Sequence, residues 1–402
     1  MVGSGVAVPP NLKKYGVPSY SVAWIPPNVI KSVLNQTTGE ASNNAESSMP
    51  LPPEQFGEHF LAITGGGGEG SSGIPNAVLL AHFDVASNSL SDQPVGRLGT
   101  DSELPYRMAL HPGDGIICAM PKGCRWFEWE QNRSAENHKL RLKVSDKVLN
   151  ELEDVGQQLA LVFDNDGTML AVGGEDGNLR AFKWPSMKII LNETKAYSTV
   201  KDLHFSSDGK LLVSLGSGGP CRVWDVSLST VLTSMSSKNG EVFSSCRFSR
   251  FSDRTHVLYI AAMTDKGGSI LTWDAKTGAR IGSKHIIRDA ISAFNVSTDG
   301  KLVACGTPSG DVVIVNSTNM QILSMIKKAH LGIVTALAFS HDSRVLASVS
   351  FDSSARVTVI EEKQKSGGLS LWIAVLIIIL AIAAYFLRPQ GIDKLELSFL
   401  RN

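Results

Sequence analysis

The chain is 402 residues long, 43% hydrophobic and 19% charged, which excludes a wholly disordered or fibrous protein and leaves enough apolar material for a sizeable core. Lys plus Arg and Asp plus Glu both number 38, so the formal net charge is zero and nothing draws the chain over long range to nucleic acid. With 37 glycines and sparse charge, turns and strands are favoured over helices.

The first residues, MVGSGVAVPPNLKKYG, hold no apolar run of signal-peptide length, so residues 1–365 are expected to fold in the cytosol. Tyr20 to Ile25 (YSVAWI) reads as a strand and is expected to pair into the last unit of a ring, closing it. Residues 35–57 and 85–104, rich in Ser, Asn, Pro and Gly, are expected to be flexible loop insertions. Between them Ala62-Ile63-Thr64 leads into GGGGEGSSGIPN, Gly65 to Asn76. Gly65, Gly67 and Gly70 have G-x-G-x-x-G spacing, but a dinucleotide fingerprint must open a helix, which Ile74-Pro75 opposes; no Gly-Lys-Ser/Thr phosphate loop is present either. The segment reads as a hairpin tip, or as a backbone cage whose carbonyl oxygens converge on a cation and stiffen Ile74, Pro75 and Asn76.

Farther along, a unit recurs: an apolar strand ending in Phe or Val, a polar turn with Asp, a second strand, a Gly/Asp turn, and a third strand. It begins at Phe163, Phe205, Phe251, Val296 and Phe339, and the turn aspartates Asp166, Asp208, Asp253, Asp299 and Asp342 lie 42, 45, 46 and 43 residues apart. With the Trp224-Asp225 and Trp273-Asp274 endings, this period resembles WD repeats, each a four-stranded propeller blade. A degenerate blade from His111 (HPGDGIICAMPKGCRWFEW) and another around residues 58–84 bring the expected total to seven.

Five cysteines without a Cys-x-x-Cys pair read as reduced structural thiols, and His82, His204 and His256 lack metal-ligand spacing. No nucleophile or general base is arranged for covalent chemistry. Leu369 to Leu387, LSLWIAVLIIILAIAAYFL, is 19 residues without a charge, about the length that crosses a ~30 Å hydrocarbon core as a helix, and Trp372 and Tyr385 lie near its ends. The expectation is a seven-bladed all-β propeller followed by a single transmembrane helix, with residues 388–402 as a short lumenal tail.

A propeller with such an anchor and with GGGGEG-x-x-GIPN in its first blade resembles the Sec-twelve family, exchange factors of the endoplasmic reticulum membrane; Val200 to Lys210 and Lys328-Ala329-His330 add to the match. The resemblance implies guanine-nucleotide exchange on a Sar-type small GTPase that starts COP-II coat assembly, with no small-molecule substrate and no nucleic acid as partner. It further implies a potassium ion held by the backbone of Gly65, Gly66, Gly67, Gly68, Glu69 and Gly70, and a loop tip of Ile74, Pro75 and Asn76 set against the GTPase. Pro105 and His330 align with a family proline and a family histidine. Asn76 could instead end a turn, Pro105 could start a strand, and His330 could be a repeat's structural histidine. The alternatives for the whole chain are a non-catalytic facilitator of cargo exit, similar to the plant phosphate transporter traffic facilitators, and a generic WD-repeat scaffold.

Overall fold

A computed structural model describes residues 8–34, 59–70, 72–130, 140–238, 240–250, 256–361, 376 and 378–383. The chain divides into two units, Met1–Val359 and Ile360–Asn402. The first contains seven antiparallel sheets. From the innermost strand outward, blade 1 is Ser19–Trp24, His59–Gly65 and Ala77–Asp84, then the short Ser89–Leu90 and Gly96–Gly99; blade 2 is Arg107–Leu110, Gly115–Ala119, Cys124–Trp129 and Leu142–Val144. Blades 3 to 6 follow from inner strands Gln158–Phe163, Thr199–Phe205, Val242–Phe248 and Ala293–Val296. Blade 7 is Val334–Phe339, Val345–Ser350 and Ser354–Val359, with Leu12–Lys14 added outside.

The seven-bladed expectation holds, but the closing strand is a different one. Leu12–Lys14 pairs antiparallel with Arg356, Ala355 and Ser354, so the N-terminus supplies blade 7's outer strand and covers an edge otherwise open to pairing. The YSVAWI strand is instead the inner strand of blade 1, where Ser21 to Trp24 register with Thr64 to Leu61. It reaches blade 7 only through side chains: the Trp24 indole donates to the Ala338 carbonyl (2.9 Å) and the Thr335 hydroxyl to the Ser19 carbonyl (2.7 Å). Residues 85–104 also differ from expectation. Ser89–Leu90 and Gly96–Gly99 both pair with Ala77–Asp84 and complete blade 1. The expected insertion at 35–57 lies outside the described residues.

The repeating aspartate has a local cause. In blade 4 the Ser206 hydroxyl donates to Asp208 Oδ1 (2.7 Å) and accepts the Leu211 amide (2.9 Å), pinning the turn between the first two strands. Ser297 with Asp299 and Ser340 with Asp342 repeat the arrangement at 2.6 and 2.5 Å. In blade 3 the work falls to Asp164 rather than Asp166: its carboxylate accepts the Thr168 hydroxyl and the Met169 amide, both at 2.8 Å. Asp253 lies outside the described residues.

The core sits between blades. Leu61, Ile63, Leu79 and Phe83 of blade 1 pack with Val345, Val349 and Val357 of blade 7, while Trp126 of blade 2 packs with Phe163, Phe182 and Trp184 at blade 3. Each sheet thus buries both faces, and long runs such as Ala77 to Ala81 are fully buried.

Of the apolar segment 369–387, the structure describes Leu376 and residues 378–383, all helical, with Leu376, Ile378, Ile379, Leu380 and Ile382 exposed. Among the described residues no helix is long and apolar enough to cross a membrane. The rest of the segment lies outside the described residues.

Candidate functional site

The glycine segment is the turn between two buried strands of blade 1. Gly66 donates to the Pro18 carbonyl (3.0 Å), which ties the loop to the start of the blade's inner strand. The Asn76 side chain then clamps it: Oδ1 accepts the Gly68 amide (2.9 Å), and Nδ2 donates to the carbonyls of Gly68 (3.1 Å) and Asp101 (3.0 Å). Its backbone carbonyl accepts the Thr100 amide (3.0 Å), joining the loop to the link between blades 1 and 2.

Two glycines are required by this approach. A Cβ on Gly66 would lie 2.1 Å from Asn76 Oδ1, and Gly68 has φ +80°, a conformation L residues rarely adopt. The loop is therefore a shaped turn.

Asn76 is only 3% exposed and its amide is engaged within the loop, so it does not present itself to a partner as the loop-tip reading expects. It is a positioning residue. The exposed part of the turn is Glu69, Gly70, Ser72, Gly73 and Pro75; Ile74 is half-buried against the core between blades 7 and 1. Pro105 is buried in the Thr100–Tyr106 link and offers no surface, although that link supplies the Asp101 carbonyl to Asn76.

His330 is buried as well. It is 2% exposed, and its Nδ1 and Nε2 lie 2.6 and 2.7 Å from the hydroxyls of Ser354 and Ser348, while the Ser354 hydroxyl donates to Asp352 (2.5 Å). Both ring nitrogens are engaged inside blade 7, so the residue is a strut of the repeat. Burial pushes the imidazole down from 6.5 to about 4, with Asp352 opposing the shift and Arg356 adding to it. A depressed histidine pKa means that the unfolded chain binds the extra proton first, so stability is full above pH 6.5 and falls as pH drops toward 4, by up to about 3 kcal/mol. Urea unfolding of wild type and His330→Gln at pH 7.5 and 4.5 is expected to show a smaller pH-dependent loss in the variant.

Beside the loop stands a surface that sequence reading missed. The Tyr20 ring lies 5.3 Å from that of Tyr106 and 5.8 Å, edge-on, from that of Phe351, and the Arg107 guanidinium sits 5.1 Å over Tyr106. Arg107 also donates to the Tyr20 carbonyl (3.2 Å). Phe351 is 52% exposed, and Leu331 and Ile333 in the preceding link are 80% and 38% exposed. Tyr20 lies two residues from Pro18, whose carbonyl holds Gly66, so platform and loop share one end of the ring. The available signal was an apolar residue in a turn, Phe351 beside Asp352, where the repeat calls for a polar one.

The model of the "WD domain, G-beta repeat" family matches residues 154–183 and 321–358. The chain is 50% identical over 365 residues to "SEC12-like protein 2" of Arabidopsis thaliana, covering 90% of this chain and 91% of the relative. "SEC12-like protein 1" of the same plant is 32% identical, with 72% of each chain covered, and the Rattus norvegicus "Guanine nucleotide-exchange factor SEC12" is 25% identical over 70% of this chain and 78% of its own. A propeller closed by its own N-terminus, a clamped glycine loop, near-full-length similarity to SEC12-like protein 2 and similarity over 72% of the chain to SEC12-like protein 1 place the chain in one family: it belongs to the SEC12, or Sec-twelve, family.

Proposed function

We propose that this chain is a guanine-nucleotide exchange factor that activates a Sar-type small GTPase at the endoplasmic reticulum membrane, where activation starts COP-II coat assembly. The observation that carries the reading is the glycine loop, held rigid by Asn76 beside an exposed aromatic platform, in a chain so similar to SEC12-like proteins.

Exchange transfers no group. It requires that the factor bind the empty GTPase more tightly than the nucleotide-bound one, and reciprocity then makes it weaken nucleotide binding by the same factor. Asn76 fixes the loop before docking, so less ordering entropy opposes the encounter. Glu69, exposed and the segment's one charged side chain, is the group that competes with nucleotide phosphate for the GTPase's cationic contacts. Tyr20, Tyr106, Phe351 and Leu331 supply the apolar anchor.

The loop also suits a potassium ion. The Thr64 hydroxyl, fully buried at the loop's base, has no hydrogen-bond partner, and Gly65 to Gly68 carry no side chains of their own, although the Gly68 carbonyl already accepts from Asn76 Nδ2. Neutral oxygens of this kind match a large monovalent cation; among the described residues no cluster of three His, Cys, Asp or Glu could hold a metal. The ion, when bound, stiffens the backbone of Gly65 to Gly70. Replacing potassium by sodium is therefore expected to slow exchange several-fold in a nucleotide-release assay.

Residues 369–387 serve as the membrane anchor, with the propeller cytosolic and residues 388–402 lumenal. The exposed aliphatic side chains of the described helical residues support this. The function is tested by comparing the chain's affinity for nucleotide-free GTPase and for its GDP–magnesium form. A ratio on the order of a thousandfold, about 4 kcal/mol, is expected; equal affinities would exclude exchange.

A further inference from the structure

The inner strands of blades 1 to 7 surround a cavity of 360 Å3 on the axis of the ring. Its charged and titratable lining groups are Arg107, Lys201, Asp202, His204, Arg247 and Arg250. Asp202 is the one carboxylate, and it is committed: Oδ2 accepts Arg247 Nη1 (2.5 Å) and the Cys246 amide (2.9 Å), and Oδ1 accepts the Leu203 amide (3.0 Å). His204 is neutral, because burial, with Arg247 and Arg250 nearby, holds it well below its usual range, and its Nδ1 accepts the Phe248 amide (3.2 Å).

Three cations remain. Arg107 is held by the Tyr20 carbonyl and the Tyr106 ring, not by an acid, and Lys201 and Arg250 have no carboxylate partner among the described residues. Arg250 also lines the adjoining mouth of 620 Å3, together with Asp164 and His341. Both Asp164 oxygens are engaged by Thr168 and Met169, and burial and Arg250 keep His341 below its usual range. Guanidinium groups do not deprotonate in proteins, so half-buried Arg107 and Arg250 keep their charge in the channel lining unless an anion enters, while Lys201 is solvent-exposed.

We propose that the central channel binds a small multivalent phosphate anion, a free polyphosphate or a phosphate ester, through Arg250, Lys201 and Arg107. Arg and Lys are the side chains that take phosphate by charge-assisted hydrogen bonds, and three unpaired cations favour a multivalent ion over chloride. A volume of 360 Å3 lies at the small end of ligand pockets and admits an anion of pyrophosphate size. This site is separate from the glycine loop, and binding there does not depend on exchange.

The test uses the purified full chain with pyrophosphate as probe, by isothermal titration and thermal melting, against sodium chloride of matched ionic strength. One pyrophosphate per chain and a melting temperature above that of the chloride arm are expected. Arg250→Gln should weaken binding at least tenfold and Lys201→Gln several-fold. Because Arg250 lacks a counter-charge, Arg250→Gln should also melt no lower than wild type in anion-free buffer. Absence of binding at millimolar pyrophosphate, equal stabilisation by chloride, unchanged affinity in Arg250→Gln, or a clear loss of stability in that variant without anion would each overturn the proposal.

Discussion

Asn76→Ala is expected to slow nucleotide exchange by on the order of a hundredfold while the melting temperature of the propeller moves by only a few degrees. The side chain makes three hydrogen bonds that hold the glycine loop, to the Gly68 amide and to the carbonyls of Gly68 and Asp101. At about 1 kcal/mol each, their loss removes about 3 kcal/mol of loop order, and about 1.4 kcal/mol corresponds to a tenfold effect. None of these bonds lies within a sheet, so the packing between blades survives. Asn76→Asp separates clamp from contact: a carboxylate cannot donate to the two carbonyls and repels both, so it should be at least as damaging as Ala. Stopped-flow release rates with parallel melting curves check both variants, and a fully active Asn76→Asp would show that the clamp is irrelevant to exchange.

Phe351→Ala is expected to raise the GTPase concentration needed for half-maximal exchange by about ten- to a hundredfold, with the maximal rate little changed, as for loss of an interface hot spot. Phe351 is 52% exposed and contacts Tyr20 edge-on, so truncation removes partner-facing area with little damage to the core. The split distinguishes platform from loop. Loop variants lower the maximal rate, because the loop acts where nucleotide is released; platform variants weaken the encounter. A Phe351→Ala protein with an unchanged half-saturating concentration would remove the platform from the interface.

The repeat was legible because its signals are local. A serine before an aspartate turn makes its hydrogen bonds within a few residues, as Ser206, Asp208 and Leu211 show, and that pattern survives in sequence as a period. Ring closure was less legible, since Leu12–Lys14 is three residues long and its partner lies some 340 residues away, whereas YSVAWI is the more conspicuous strand. The glycine loop could be located, yet the direction of Asn76 could not. A motif records spacing, and only the fold shows that the Asp101 carbonyl comes within 3.0 Å of the amide. His330 went the same way, because an exposed and a buried histidine look alike in sequence until Ser348 and Ser354 are placed against them. The aromatic platform and the cationic channel are both products of closure, which brings Tyr20 to Phe351 and Arg107 toward Arg250 across the ring.

The most direct measurement is release of a fluorescent guanine nucleotide from a purified Sar-type GTPase, with and without the full chain, in potassium buffer. Release should accelerate by orders of magnitude with the wild-type chain and fall back toward the spontaneous rate with Asn76→Ala. A spontaneous rate unchanged by the wild-type chain would contradict the exchange function.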